Sequence, residues 1–125
     1  MTHEMDIWHD SFVKIKEQTK TIEMRLFDEK RSLISIGDTI IFTDTSNKEK
    51  IDCMVINMYR YLSFEELYQH HSKVSIGYNK DEIANPKEML MYYSNEMIEQ
   101  YGVVLLPLKL KFYSFLFIDY FLQIH

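Results

Sequence analysis

Along residues 21–26 the polar side chains Thr21, Glu23 and Arg25 alternate with apolar Ile22, Met24 and Leu26. A period of two predicts a strand with one dry face and one charged face, with Lys20 standing just before it. Upstream, Trp8, Phe12 and Ile15 fall at i, i+4 and i+7, opposite Lys14, Lys16 and Glu17. That spacing predicts a short helix, capped by Asp10 and ending near Gln18 or Thr19. Residues 1–10 are polar and are assigned no element. Residues 27–35 are charged and turn-like, and Gly37-Asp38 marks a turn, because Gly tolerates positive φ and Asp bonds its own backbone. A strand over 40–43 and a polar hairpin loop over 44–50 follow. The run 51–59 reads as one long strand, with Cys53, Val55, Asn57 and Tyr59 on one face and Met54, Ile56 and Met58 on the other.

The second half is more helical. Ser63 with Glu66 three residues later forms a capping box ahead of Phe64, Leu67 and Tyr68. Asn85, Pro86 and Glu88 repeat the signal and place Met89, Leu90 and Tyr93 inward. Ser94 opens a further turn that Gly102 ends. Residues 103–111 form the last strand, where Pro107 requires an edge position or a bulge. Strands mostly adjacent in sequence, with helices gathered to one side, predict an α+β fold or a small barrel. The βαβ alternation and G-x-G-x-x-G of a doubly wound sheet are missing.

Composition narrows the function. The chain has 125 residues, 46% hydrophobic and 26% charged, with a formal net charge of −5. That size suits one domain. The charge argues against a general nucleic-acid coat but leaves room for a local basic cleft. Residues 12–31 carry six basic groups against four acids. The single cysteine, Cys53, rules out an internal disulfide framework and fits a reducing, cytoplasmic compartment. Cys53 sits in an apolar run, as a buried inert thiol would. No signal peptide is expected from the polar opening. The five histidines, His3, His9, His70, His71 and His125, show no metal-ligand spacing, so no metal and no cofactor are expected. The tail, residues 112–125, is apolar but carries Asp119 and is shorter than the roughly 20 residues a membrane span needs. It reads as an extension that could be an added strand, a helix covering a sheet face, or a contact through which copies of the chain associate.

Four blocks, in order, resemble one family. They are I-K-E-Q-T-K-T-I-E-M-R-L at 15–26, I-S-I-G-D-T-I-I-F at 34–42, Y-L-S-F-E-E-L at 61–67, and Y-Y-S-N-E at 92–96 with Y-G-V-V-L-L at 101–106. Together they resemble the ASCH domain. The resemblance divides the chain into an ASCH domain at 1–111 and an apolar extension at 112–125. It implies a small PUA-like β-barrel with flanking helices and a cleft that binds RNA or a nucleotide-like ligand. Lys20, Glu23 and Arg25 then stand at the cleft mouth, where Lys and Arg can hold a phosphate or polarise a carbonyl and Glu can accept from a base N–H. Tyr59 and Arg60 would add a stacking surface and a cation, Tyr59 having core packing as its other reading.

One branch of the family hydrolyses N4-acetylcytidine with a Lys, a Thr and a Glu. Its Lys falls on Lys20 and its Thr on Glu23, so the hydroxyl nucleophile is replaced by a carboxylate. If the chain is an enzyme, Lys20 and Glu23 are its catalytic pair. The third carboxylate is then Glu82, with Glu65 and Glu66 as alternatives. Gln18 stands where members usually carry Gly in a tight turn. The functions to weigh are a binding module, an amidohydrolase of modified nucleosides, and a protein-interaction domain using the tail.

Overall fold

The computed structural model describes residues 1–111, so the tail at 112–125 and the self-association expected of it lie outside the described residues. The order is β1 (Thr2–Ile7), α1 (His9–Lys16), β2 (Ile22–Leu26), a 3₁₀ turn (Arg31–Leu33), β3 (Thr39–Asp44), β4 (Lys50–Val55) and β5 (Tyr59–Tyr61), then α2 (Phe64–His70), a second 3₁₀ turn (Pro86–Met91), α3 (Asn95–Tyr101) and β6 (Val103–Leu110). The sheet runs β1-β3-β4-β6-β2, with β5 also paired to β6. Only the β1–β3 pairing is parallel among the described strands. The fold is a curled half-barrel sheet with flanking helices, a small PUA-like α+β barrel.

Alternation on β6 divides the interior into two cores. Val104, Leu106 and Leu108 face a first core with Met5, Ile7, Phe12, Ile15, Ile40, Phe42, Cys53 and Val55. Val103 and Leu105 face a second, with Ile22, Met24, Leu26, Phe64, Leu67 and Ile76. The first fills the half-barrel under α1; the second glues α2 and the segments after it to the outer face.

Several expectations change. The polar opening contains strand β1, which the sequence hides because it is an edge strand with only Met5 and Ile7 buried. Helix α1 starts earlier, with Trp8 and not Asp10 at the N-cap position, and Trp8 is 68% exposed instead of packed. The helix begins there because the His9 side chain is held by Asp44, whose Oδ2 lies 2.6 Å from its Nδ1. The long strand at 51–59 is two strands. Val55 pairs with Leu108, but Tyr59 pairs with Leu105, so three residues oppose two. This is a β-bulge, and it falls opposite Pro107, whose carbonyl accepts from the Ile56 N–H. The missing N–H of Pro107 therefore coincides with the break in the ladder. One extra residue reverses the parity, so Tyr59 faces away from Cys53 and Val55, on the side of the second core. Leu90, expected inward, is 46% exposed. The N-caps form, with Ser63 accepting from the Glu66 N–H, Asn85 from Lys87 and Ser94 from Met97, but the two capping boxes do not close: Glu66 takes the Leu62 N–H and Glu88 the Tyr78 hydroxyl.

Candidate functional site

Glu23 and Arg25 pair across the ladder with Leu106 and Val104. They lie on the first-core face of β2, at the open edge of the half-barrel. Neither Lys20 nor Glu23 is solvated: they are 4% and 6% exposed. Glu23 Oε2 accepts from Arg25 Nε at 3.2 Å and Nη2 at 3.0 Å, while Oε1 accepts from the Met24 N–H at 3.0 Å and lies 3.4 Å from Lys20 Nζ. Lys20 Nζ also donates to the carbonyls of Ile22 (2.8 Å) and Ile76 (3.0 Å). All three ammonium hydrogens thus have acceptors. Arg25 Nη2 further donates to the Asp6 carbonyl at 2.9 Å, bridging β2 to β1. Its Nη1 has no hydrogen-bond partner among the described residues.

Burial acts on this trio in opposite senses. It pushes the Lys20 ammonium down from its ordinary value, and Glu23 only partly restores it. Burial alone would raise Glu23, but Lys20, Arg25 and the Met24 N–H outweigh it and hold the carboxyl below its ordinary value. Glu23 is therefore a fixed carboxylate at neutral pH.

The segment after α2 closes over the trio. Backbone N–H groups of Thr21 and Ile22 donate to the Ser75 carbonyl, and Lys14 Nζ donates to the Gly77 carbonyl at 2.7 Å. Gly77 has φ +119°, and a Cβ there would lie 3.3 Å from Lys20 Cδ. The backbone conformation calls for glycine, and a Cβ would also crowd the lysine beneath it, which would have to give by a few tenths of an ångström.

Between these parts lies a cavity of about 430 Å³. Its floor is Lys20, Glu23 and Arg25. Trp8, Asp10, Ser11 and Lys14 line one side, and Tyr68, Tyr78, Glu82, Glu88, Tyr92 and Tyr93 the other. The Tyr78 hydroxyl ties this second side together, 3.2 Å from both Tyr68 Oη and Glu88 Oε1.

The ASCH domain matches this chain over residues 5–112, from β1 through the end of β6. The chain belongs to the ASCH family. No curated protein matches it. Among solved structures, the ASCH chain is similar to the hypothetical protein PH0355, at 28% identity and TM-score 0.75, over 89% of this chain and 100% of that one. It is also similar to protein PF0455 from Pyrococcus furiosus, at 28% identity and TM-score 0.69, over 90% and 100%. The S128A mutant of ZmASCH from Zymomonas mobilis shares the fold at 13% identity and TM-score 0.62, over 85% of this chain and 66% of that one.

In this ASCH domain, then, Lys20, Glu23 and Arg25 are brought together at one cavity, and Glu82 joins them on its wall. Glu65 and Glu66 do not line it; Glu66 instead receives the Leu62 N–H at the start of α2. Tyr59 and Arg60 also stand apart. Tyr59 receives the Asn57 side-chain N–H, and the Arg60 guanidinium lies 3.9 Å from the Phe27 ring centre. Sequence reasoning missed the wall residues Trp8, Asp10, Ser11, Lys14, Tyr78 and Glu88 as site groups. They come from separate elements with no shared spacing, so no local pattern could join them. No helix among the described residues is long and apolar enough to cross a membrane.

Proposed function

We propose that this ASCH domain is a binding module, acting in the cytoplasm, that takes one nucleoside unit of an RNA or a nucleotide-like small molecule into the cavity above Lys20, Glu23 and Arg25. The observation that carries this reading is the unpartnered Nη1 of Arg25 at the floor of a cavity walled by aromatic rings. Such a donor can meet a base carbonyl or ring nitrogen, and tyrosine and tryptophan rings supply stacking partners. The volume is that of a small-molecule pocket. Lys20, with its hydrogens directed at Ile22, Ile76 and Glu23, orients the carboxylate and the loop, and leaves recognition to Arg25.

A second reading has one observation in its favour. Glu82 shares the cavity with Lys20 and Glu23, so two carboxylates accompany the lysine, and a carboxylate beside a lysine can activate water where the amidohydrolases of N4-acetylcytidine would use a Thr hydroxyl.

One experiment addresses both. The purified protein is titrated at low salt with a panel of nucleosides, N4-acetylcytidine and short single-stranded RNA. Quenching of Trp8, the chain's only tryptophan, reports binding, and mass spectrometry follows acetate. The expected result is saturable quenching without acetate release, with affinity falling roughly tenfold or more in a folded Arg25→Lys variant, which keeps the charge and loses the fork. Absence of binding to every member of the panel would dismiss the module. Acetate release abolished by Lys20→Ala would replace it with the enzyme.

A further inference from the structure

Strands β3 and β4 show the first core one face and turn the other outward. Ile40, Phe42, Cys53 and Val55 point in, so the residues between them point out. Most of those are polar, as a wet face requires, but half-buried Ile41 and Met54 are not. Ile56 follows just past the end of β4, and none of the three belongs to either core. The Gly37 N–H donates to the Val55 carbonyl at 2.7 Å, which brings the turn carrying Leu33 and Ile36 beside them. Leu33, Ile36 and Ile56 are 64%, 61% and 47% exposed. Apolar side chains exposed singly are ordinary, but a contiguous row of them asks for a cover.

Strand β6 runs out at the margin of this row. Lys109 pairs with Met54, the Lys111 N–H donates to the Asp52 carbonyl at 2.9 Å, and the Lys111 ammonium donates to Thr39 Oγ1 at 3.0 Å. Residues 112–125 therefore start beside the row, and all of them except Ser114, Asp119, Gln123 and His125 are apolar or aromatic. From Asp52 to Ile56 is about 13 Å of extended chain, whereas the segment after Lys111 can span about 46 Å. Its first few residues suffice to reach Ile56, and the remainder can lie along the row. We infer that residues 112–125 fold back as a cover on the outer face of their own β3 and β4, with apolar side chains on Ile41, Met54, Ile56 and the Leu33–Ile36 turn. Two apolar surfaces that each lack a partner then leave water together. The tether favours this over a second copy, because it presents the segment to its own face at an effective concentration of about millimolar order. None of these residues lines the cavity, so the cover stands whether or not a nucleoside binds.

The test uses the full chain. Hydrogen exchange with mass spectrometry reads the amides of residues 112–125, and light scattering reads the mass at high and low protein concentration. The expected result is a monomer whose tail amides exchange roughly tenfold or more slowly than in the double variant Ile36→Asp/Ile56→Asp, at both concentrations. Both substituted side chains are exposed on the described structure, and unchanged protection of the Ile40 and Phe42 amides shows that the variant is folded. A second variant, Leu116→Asp/Phe117→Asp, alters no described residue, and in it peroxide should oxidise Met54 several-fold faster than in the parent. If the first variant loses the Ile40 protection, the second decides alone. Tail amides that exchange as fast as a free peptide overturn the inference. So does protection that survives the first variant in a folded protein, or Met54 oxidation that the second leaves unmoved. Protection that vanishes on dilution, with a dimer at high concentration, also overturns it and gives the face to a second copy.

Discussion

Gln18 adopts φ +67°, the left-handed region, at the turn between α1 and β2. This is the turn where the sequence resemblance implies a Gly. A side chain with a Cβ costs about 1–2 kcal/mol there, partly offset by the entropy that Gly would lose on folding. Gln18→Gly should therefore stabilise the protein by about 0.5–1 kcal/mol, read as a higher urea midpoint at unchanged slope. The turn matters because it delivers Lys20 to its three acceptors. The presence of a charged site was legible from the alternation of Ile22, Met24 and Leu26 with Glu23 and Arg25. That the charged face would be buried was not. The burial depends on β1 and on the loop around Gly77, which approach β2 from distant parts of the chain.

At the scale of elements, α1 carries one wall of the cavity and is anchored at its start. The Asp44 carboxylate is fully buried and receives both the Ser46 N–H and hydroxyl beside His9. The hydrogen bond and charge of Asp44 raise His9 above its ordinary value; burial would raise Asp44, but His9 and Ser46 lower it overall. The sign follows from these directions. A raised histidine contributes stability that is full below its unfolded value and is lost as pH rises through its folded one. A depressed aspartate contributes stability that is full above its unfolded value and is lost on acidification. The difference in stability between the protein and His9→Ala should thus be widest between roughly pH 4 and 6.5, and should narrow as the pH rises above that window. Denaturation series at several pH values would check this; a difference independent of pH would remove the ion pair from the account. Elements with local signals were legible, as the three caps at Ser63, Asn85 and Ser94 illustrate. The split of the fourth and fifth strands was not, since it is dictated by Pro107, some fifty positions away.

For the whole molecule, the sheet path begins at β1 and ends at β2, and Arg25 spans the gap between these two ends. Its guanidinium serves the Glu23 carboxylate and the Asp6 carbonyl with one nitrogen. Arg25→Lys cannot reproduce that fork, and losing hydrogen bonds to a buried carboxylate costs about 1.5–3 kcal/mol. The seam should loosen before the sheet does. Amide exchange should accelerate in Thr2–Ile7 more than in Ile40 and Phe42 of β3. Uniform acceleration across both would show that the arginine contributes only to global stability. The family and general architecture were legible from four short blocks, whereas the cavity depended on how the chain ends of the sheet meet.

Strand β6 touches every part of this arrangement. It pairs with β2 along one edge and with β4 and β5 along the other, and its alternating side chains belong to different cores. The two cores consequently share a wall eight residues long. Neither can melt and leave the other a complete surface to pack against. A molecule with two separate oily layers thereby behaves as a single cooperative unit, and a truncated side chain on one face of that wall will be felt in the layer it never touches.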